Sequence, residues 1–454
     1  MRKISLVIIS VIVATTLAGL STSCNRNVFD QDIYIEIVDT LSPVDSVDPG
    51  HTWQLSSQKT LVVNINSSDD VKKLQILTDD PMASETALVV AEREVEKIDQ
   101  FSMTISYPTQ LTKLYAALVD SEGLYTVTSI TPSSTNRLDF SSPLYQSQKI
   151  DYTPSPQYYA YCFEGEFPVP GDYDYNDMVM HIALERTGLK EMRFHVRLAA
   201  VGTSERQLAG AIRFPNEKKD KDSALISMED IDTLFTVDDK SFNVNMHGEM
   251  ITKQNMIVQK ETDLLLKGRN GEPILNLFAD AHWAMGDIRQ NEYGIYSRKL
   301  YNVSQTSGTS STGVVSQVTV PRTITYVLRV KNENILNYLT LDNIDPFIIL
   351  QYNGAIEEVH TYPYRKVQAL NKYPYVDVQN LPWALVIPSG TFNHPLEGVN
   401  MGFKMKSTSE MYPGYDILFG AYSTRGHAFG EWAESRSKST DWYHYPELNQ
   451  VFIW

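Results

Sequence analysis

Two runs of strict alternation constrain this chain most. From Asp177 to Leu184 the apolar residues Met178, Met180, Ile182 and Leu184 fall on every second position. From Glu191 to Ala199 the same period carries Met192, Phe194, Val196 and Leu198. Side chains of a strand point alternately to its two faces, so each run predicts a strand with one apolar face. The polar break at Arg186-Thr187-Gly188 predicts a hairpin between them. A helix would scatter the same residues around its circumference.

Shorter runs of this kind fill the rest of the chain. Lys59–Ile65, Lys73–Leu77, Ala87–Ala91, Phe101–Ser106, Lys113–Val119 and Tyr125–Ile130 are separated by polar turns, a spacing that predicts a sandwich. Ala209–Phe214, Thr323–Val330, Phe347–Tyr352 and Ala384–Ile387 predict further strands. The 26 Tyr, 16 Phe and 6 Trp suit pleated, half-buried surfaces. The expected fold is mainly β. An N-terminal immunoglobulin-like β-sandwich over 59–145 is followed by a larger β-rich domain over 155–454, of β-sandwich or jelly-roll type with short helices. Charged residues at 91–99 predict a helical or loop insert, Asn216–Asp222 a charged loop, and Ser304–Gly313 a mobile excursion. Glu410–Tyr422 and Ala428–Arg436 are expected as short helices.

The N-terminus reads as a targeting segment. Arg2 and Lys3 precede an apolar stretch, Ile4 to Leu20, that is short for a bilayer span. Leu20-Ser21-Thr22-Ser23-Cys24 then resembles a relaxed lipobox, so residues 1–23 are expected as a lipoprotein signal peptide. The resemblance implies cleavage before Cys24, lipid on its sulfur and new amino group, and a lipid-anchored tether over 24–58. A membrane partner through Cys24 follows, with outer-membrane placement favoured because no Asp comes directly after Cys24. Cys162 is the only other cysteine, so the mature chain is expected to rely on packing or metal rather than a disulfide. With 39 basic against 55 acidic residues the formal charge is −16, which disfavours nucleic acid as a partner.

One segment carries chemistry. Gly171-Asp172-Tyr173-Asp174-Tyr175-Asn176-Asp177 places four oxygen-bearing side chains within six residues. Adjacent carboxylates repel, and a hard cation removes that cost. Ca²⁺ takes about 6–8 oxygen ligands, and alternating Asp and Asn in a loop suit it. Gly171 is expected to let the chain turn tightly into the loop. An EF-hand is excluded, since its sixth position would be Asp177 rather than Gly and its twelfth Ala183 rather than Glu. Glu164 and Glu166 are the nearest upstream sources of further ligands. The other reading is an Asx-rich turn with solvated carboxylates.

Cys162-Phe163-Glu164-Gly165 followed by this acidic run resembles the opening of the LruC domain, a family of secreted or lipid-anchored Gram-negative envelope proteins without an established biochemical activity. Further segments match in order. They are Asp345-Pro346-Phe347-Ile348 with Glu358-Val359-His360, then Pro382-Trp383-Ala384-Leu385-Val386-Ile387-Pro388, then His394-Pro395-Leu396-Glu397-Gly398. Ala421-Tyr422, Phe429, Trp432 and Asp441-Trp442-Tyr443 complete a resemblance over roughly 158–454. It implies Ca²⁺ as cofactor and Glu164, Asp172, Asp174, Asn176 and Asp177 as metal ligands, with the roles of Glu358, His360 and Asp441 open. Gly165 stands where the family has Asp, and Thr361-Tyr362-Pro363 replaces its Leu-Pro pair.

No catalytic set is legible. HExxH, GxSxG and GxxxxGK[ST] are absent, and no two of the nine His residues have zinc-ligand spacing. Cys162 is expected as a buried small hydrophobe, and Trp383, Trp432 and Trp442 as core. The leading expectation is a monomeric outer-membrane or cell-surface lipoprotein, a calcium-stabilised, non-enzymatic binding or adhesion module for an extracellular glycan or protein. The alternatives are a metal-assisted hydrolase of an envelope or extracellular polymer and an assembly component of a surface appendage.

Overall fold

A computed structural model describes residues 42–141, 147–168, 171–205, 208–214, 226–237, 264–268, 271–286, 299–352, 355–362, 375–405 and 417–454. The leader 1–23, Cys24, the tether up to residue 41, the charged loop at 216–222 and most of the helix expected over 410–422 lie outside the described residues.

The fold is mainly β, with several sheets and two short helices among the described residues. The first strands are β1 (Ser56–Asn66), β2 (Val71–Leu77), β3 (Leu88–Glu94), β4 (Ile98–Pro108), β5 (Leu114–Asp120), β6 (Leu124–Ile130), β7 (Arg137–Ser141), β8 (Gln148–Lys149) and β9 (Ser155–Pro156). One sheet has the order β4-β1-β7 and the other β8-β6-β5-β2-β3-β9. Their inner faces meet. Leu61, Val63, Ile65, Met103 and Ile105 of the first sheet share a core with Leu74, Ile76, Leu114, Ala116 and Leu118 of the second. The alternation expected of these strands is the burial of every second residue on β1, where Leu61, Val63 and Ile65 are buried.

The charged stretch 91–99 is not an insert. β3 runs on to Glu94 and β4 begins at Ile98. Three of its charges are paired, while Glu94, Glu96 and Lys97 are exposed. Glu92 meets Lys73 at 2.9 Å, and Arg93 meets Asp99 at 3.1 Å and Glu333 at 3.4 Å while lying over the Phe101 ring. A strand tolerates such residues where partners satisfy them.

A second pair of sheets follows. Its strands are β10 (Tyr158–Phe163), β11 (Met178–Gly188), β12 (Glu191–Ala200), β13 (Leu208–Arg213), β14 (Ile231–Val237), β15 (Leu265–Lys267) and β16 (Pro273–Phe278), then helix α1 (Ala281–Ala284). After these come β17 (Leu300–Tyr301), β18 (Gly308–Thr309), β19 (Val315–Gln317), β20 (Arg322–Val330), β21 (Asp345–Tyr352), β22 (Ala355–His360) and β23 (Ala384–Ile387). The larger sheet has the order β14-β20-β12-β11-β10-β23 and the facing one β15-β16-β13-β21-β22. β11 and β12 form the expected hairpin, with its tip at Leu189-Lys190 because Gly188 pairs with Glu191. Met178, Met180, Ile182, Met192, Phe194, Val196 and Leu198 all enter the core between the sheets, so one alternating face of the hairpin is the wall of that core. The stretch 304–313 is not a bare excursion, since β18 pairs with β19 in a small sheet.

The outer face of the larger sheet is covered as well. Ala160, Cys162, Val179, Leu385 and Ile387 pack beneath Phe392, Tyr422, Trp432, Trp442 and Val451 of the last segment. That segment holds β24 (Phe403–Met405), β25 (Ile417–Phe419) and helix α2 (Phe429–Glu434). The helix expected near 428–436 is α2, whereas the described part of the other expected helix, 417–422, is strand at 417–419 and turn after it. Trp383, Trp432 and Trp442 are buried, as expected of core residues.

The described end of the stretch read as a tether joins this layer. Val44, Trp53 and Leu55 are buried in it. The Trp53 ring stacks on His51 at 4.1 Å and meets Trp432 edge-on at 5.3 Å. Asp48 N–H donates to Ala433 O at 2.9 Å, and Gln54 pairs in parallel with Val386. Leu41 to Trp454 form one compact unit.

Candidate cation site

The acidic loop lies where β10 ends and β11 begins, at one end of the larger sheet. Tyr173 and Tyr175 both adopt left-handed backbone conformations, with φ of 58° and 52°. Such φ values cost a non-glycine residue about 1–3 kcal/mol and persist only where surroundings over-determine them. Here the two rings do so. Both are buried, with the Tyr173 hydroxyl donating to Asp377 Oδ2 at 2.6 Å and the Tyr175 hydroxyl to Pro382 O at 2.8 Å. With the tyrosines drawn into the core, the alternate residues Asp172 and Asp174 come together with Glu164. One carboxylate oxygen from each of the three lies within 4.8 Å of the others.

Several of these carboxyl groups accept hydrogen bonds from neighbouring N–H groups. Glu164 Oε1 accepts from Tyr175 N–H at 2.6 Å. Asp174 Oδ1 accepts from Asn176 N–H at 3.0 Å, and its Oδ2 from Asn176 Nδ2 at 2.8 Å and Gly398 N–H at 2.9 Å. Asp177 Oδ2 accepts from Gly165 N–H at 2.5 Å. Glu164 is fully buried at 0% exposure and Asp174 at 1%, yet Glu164 Oε2 has no hydrogen-bond partner among the described residues. A buried, unpaired carboxylate oxygen is costly and calls for a counter-charge.

Electrostatics reinforce this. Burial, then the charges of Asp172 and Asp177, push the Glu164 carboxyl well above its usual range. Burial and the charges of Asp172 and Glu164 do the same to Asp174, and burial with Asp172 and Glu397 to Asp177. Burial also raises Asp172. Glu166 and Glu397 stand at the exposed rim, still crowded enough by protein and by Asp172 to be raised to about 6 and about 8. Repulsion and desolvation both hold protons on this cluster, and a bound divalent cation would reverse both. The residues present therefore fit a hard cation.

Two glycines make room for the site. A Cβ on Gly171 would lie 2.1 Å from Glu164 Oε2, and one on Gly202 1.9 Å from Asn176 Oδ1. Gly171 is thus required for the close approach of Glu164. Its φ is not left-handed, so the tight turn expected there is made instead by the two tyrosines.

Of the expected ligands, Glu164, Asp172 and Asp174 converge. Asp177 is held on Gly165 N–H next to them. Asn176 acts as a brace. Its Nδ2 reaches Asp174 and also Pro395 O at 3.1 Å, while its buried Oδ1 has no partner among the described residues. The loop 395–401 closes the site from the far end of the sequence, since Met401 N–H also reaches Tyr173 O at 2.9 Å and Asn400 Nδ2 reaches Asp172 O at 3.1 Å. Glu397 in that loop had not been expected at the site. Its only signal in the sequence is the Pro-x-Glu segment, which has no spacing relation to the acidic run.

Glu358, His360 and Asp441 belong to other networks. His360 is fully buried, with Nδ1 at 2.7 Å from Asp345 and Nε2 at 3.2 Å from Glu358. Burial opposes its charge, but the two carboxylates prevail and raise its pKa. Arg213 lies 3.4 Å from Glu358 and 3.5 Å from Glu272. Asp441 holds His427 at 2.8 Å. Cys162 is buried in the outer core, and burial raises its thiol far above the ordinary value, which suits a small hydrophobe rather than a nucleophile. His181 is buried, while His195 is partly exposed between Glu185 and Thr325.

No curated protein and no solved structure matches the chain. A family model does, over residues 189–443, a span that begins after the acidic loop and includes Glu397 and the loop around it. That span is more than half of the chain, which therefore belongs to the family described as a domain of unknown function, DUF4842.

Proposed function

We propose that this protein is a lipoprotein of the LruC kind, anchored in the outer membrane or at the cell surface through lipid on Cys24. It acts as a calcium-stabilised, non-enzymatic module that binds an extracellular glycan or protein. The observation that carries the reading is the buried Glu164 carboxylate, whose Oε2 has no partner among the described residues and one of whose oxygens lies within 4.8 Å of oxygens from Asp172 and Asp174. Ca²⁺ suits the cluster because it accepts many carboxylate oxygens in flexible geometry, whereas Mg²⁺ demands near-ideal octahedral positions and keeps several waters. The cation would be held by Glu164, Asp172 and Asp174, with Asp177 beside them and Asn176 bracing Asp174. It would tie the end of β10 and the start of β11 to the loop 395–401, and so fix the surface that these loops present.

Thermal unfolding in EDTA and in millimolar Ca²⁺, Mg²⁺ or Mn²⁺ tests this. Ligand at about 100 times its dissociation constant stabilises by about 2.7 kcal/mol, a shift of several degrees. A calcium-selective shift is expected. If chelation instead leaves the melting temperature unchanged and abolishes hydrolysis of an envelope polymer, the metal is catalytic and the binding-module reading fails.

A further inference from the structure

We propose that the segment Val451–Trp454 is an acid-released strap, closed over the buried imidazoles of His181 and His394 at neutral pH and opened as they take up protons. Neither ring belongs to the acidic cluster, and the strap closes whether or not a cation is bound there.

His181 stands on the outer face of β11, between Ala160 of β10 and Arg197 of β12. His394 lies in the loop after β23. Both are 0% exposed. Neither ring nitrogen of His181 has a hydrogen-bond partner among the described residues, and nor has Nδ1 of His394. The Gly390 carbonyl beside His181 accepts instead from Arg197 Nη1 at 3.4 Å. Nε2 of His394 lies 2.6 Å from Asn302 O, so it carries the proton and Nδ1 keeps a lone pair turned to no donor.

The cover over both rings is the strap. Phe452 N–H donates to His394 O at 2.8 Å, and the Phe452 ring stacks on the His394 ring at 5.5 Å. The Trp454 ring lies 5.3 Å from His394 and 6.5 Å from His181. Leu396 N–H reaches Gln450 O at 2.9 Å, and Val451 bridges to Pro395. These bonds make the strap the fastening of loop 395–401. Ile453 and Trp454 are 49% and 43% exposed, so water stands on the outer side of a short piece of chain held by few bonds.

A proton on either ring would put a charge into this apolar layer without an acceptor for it. β10 presents Ala160, the strap presents the rings of Phe452 and Trp454, and β12 presents another cation, Arg197. Burial, then the charges of Arg197 and His394, holds His181 down to about 3, with the Gly390 carbonyl opposing. Burial, opposed by the Asn302 carbonyl, holds His394 down to about 4. Opened to water, an imidazole takes its proton near pH 6.5. The closed form therefore has its full advantage above about pH 6.5 and loses it as pH falls from there. At pH 5 opening gains about thirtyfold over neutral pH for each ring exposed. The raised carboxyls of the acidic cluster act in the opposite direction, so loosening in acid is the signature of the imidazoles.

Hydrogen exchange read by mass spectrometry on the intact soluble chain in EDTA, at pH 7.5 and pH 5, tests this. Each rate is divided by that of an unstructured chain at the same pH. Protection of segments 394–398 and 450–454 is expected to fall at least tenfold at pH 5, while β1 keeps its protection. In the double variant His181→Leu with His394→Gln, which retains a donor for Asn302 O, the fall should shrink below threefold. The single variant His181→Leu removes only the ring without a hydrogen bond, and its fall should be smaller than the parent's. Unchanged protection of the two segments in the parent, or a loss shared equally by β1, would overturn the strap. A fall as large in either variant as in the parent would overturn the assignment to these two rings.

Discussion

The backbone N–H of Tyr175 donates to Oε1 of Glu164 at 2.6 Å and leaves Oε2 of the same carboxylate buried without a partner among the described residues. This single bond links the folding of the loop to its chemistry. Tyr175 is held in its left-handed conformation by a buried ring, and its amide in turn orients a carboxylate whose other oxygen no described group satisfies.

Replacing Glu164 by Gln should separate stability from cation binding. The variant removes a buried negative charge from among its like neighbours, so in EDTA its melting temperature is expected to equal or exceed that of the parent. In millimolar Ca²⁺ the parent's shift should be lost. Paired melts in the two buffers measure both effects, and a variant that still gains several degrees from Ca²⁺ contradicts the role assigned to Glu164.

The same charges fix a pH dependence. Glu166 and Glu397 are raised to about 6 and about 8 in the folded chain, and Glu164, Asp174 and Asp177 are raised as well. The folded state therefore binds more protons than the unfolded one between about pH 5 and 8, so without metal these groups make stability fall as pH rises. Saturating Ca²⁺ should cancel or reverse the slope. Urea midpoints at pH 5, 6, 7 and 8, with and without EDTA, report it.

Much of the fold was legible because strand patterning is local. The hairpin of β11 and β12 follows from a period of two, and its apolar face is the face that is buried. The three tryptophans expected in the core are there. What was not legible depends on partners distant in sequence. The charges of 91–99 resemble a solvated insert until Lys73 and Glu333 are known to face them. The acidic run was visible as a candidate site, whereas Glu397, the Gly398 amide and the close approach at Gly171 exist only once loop 395–401 folds back onto it. The stretch before β1 reads as a tether because Ser42-Pro43, Asp48-Pro49-Gly50 and several acidic residues punctuate it, yet Trp53 anchors it in the outer core. Its packing partners, Phe429 and Trp432, come almost 400 residues later.

That packing is itself testable. Trp53 is 2% exposed and sits among His51, Phe429 and Trp432. Trp53→Ala should cost about 3–5 kcal/mol, the range for emptying a large aromatic from a core. Chemical denaturation measures it. A loss below about 0.5 kcal/mol, the range of surface substitutions, would mean that residues 42–55 do not form part of the outer core.

The buried His360 network gives a fourth expectation. Asp345→Asn removes one of the two carboxylates that flank a fully buried imidazole. Breaking a buried ion pair outright costs about 3–5 kcal/mol; Glu358, 3.2 Å from Nε2, still faces the imidazole, so a loss below that range is expected. His360 titration followed by NMR should also move to lower pH in the variant, since Asp345 is the largest influence raising it.

Isothermal titration of Ca²⁺ into the metal-stripped soluble chain, beside its Asp174→Asn variant, bears most directly on the central claim. Asp174 is 1% exposed, converges with Glu164 and Asp172, and takes the Gly398 amide that closes the site. The account predicts saturable Ca²⁺ binding by the parent and its loss or at least tenfold weakening, about 1.4 kcal/mol, in the variant. No heat of binding in the parent, or equal affinity in the two proteins, would contradict it.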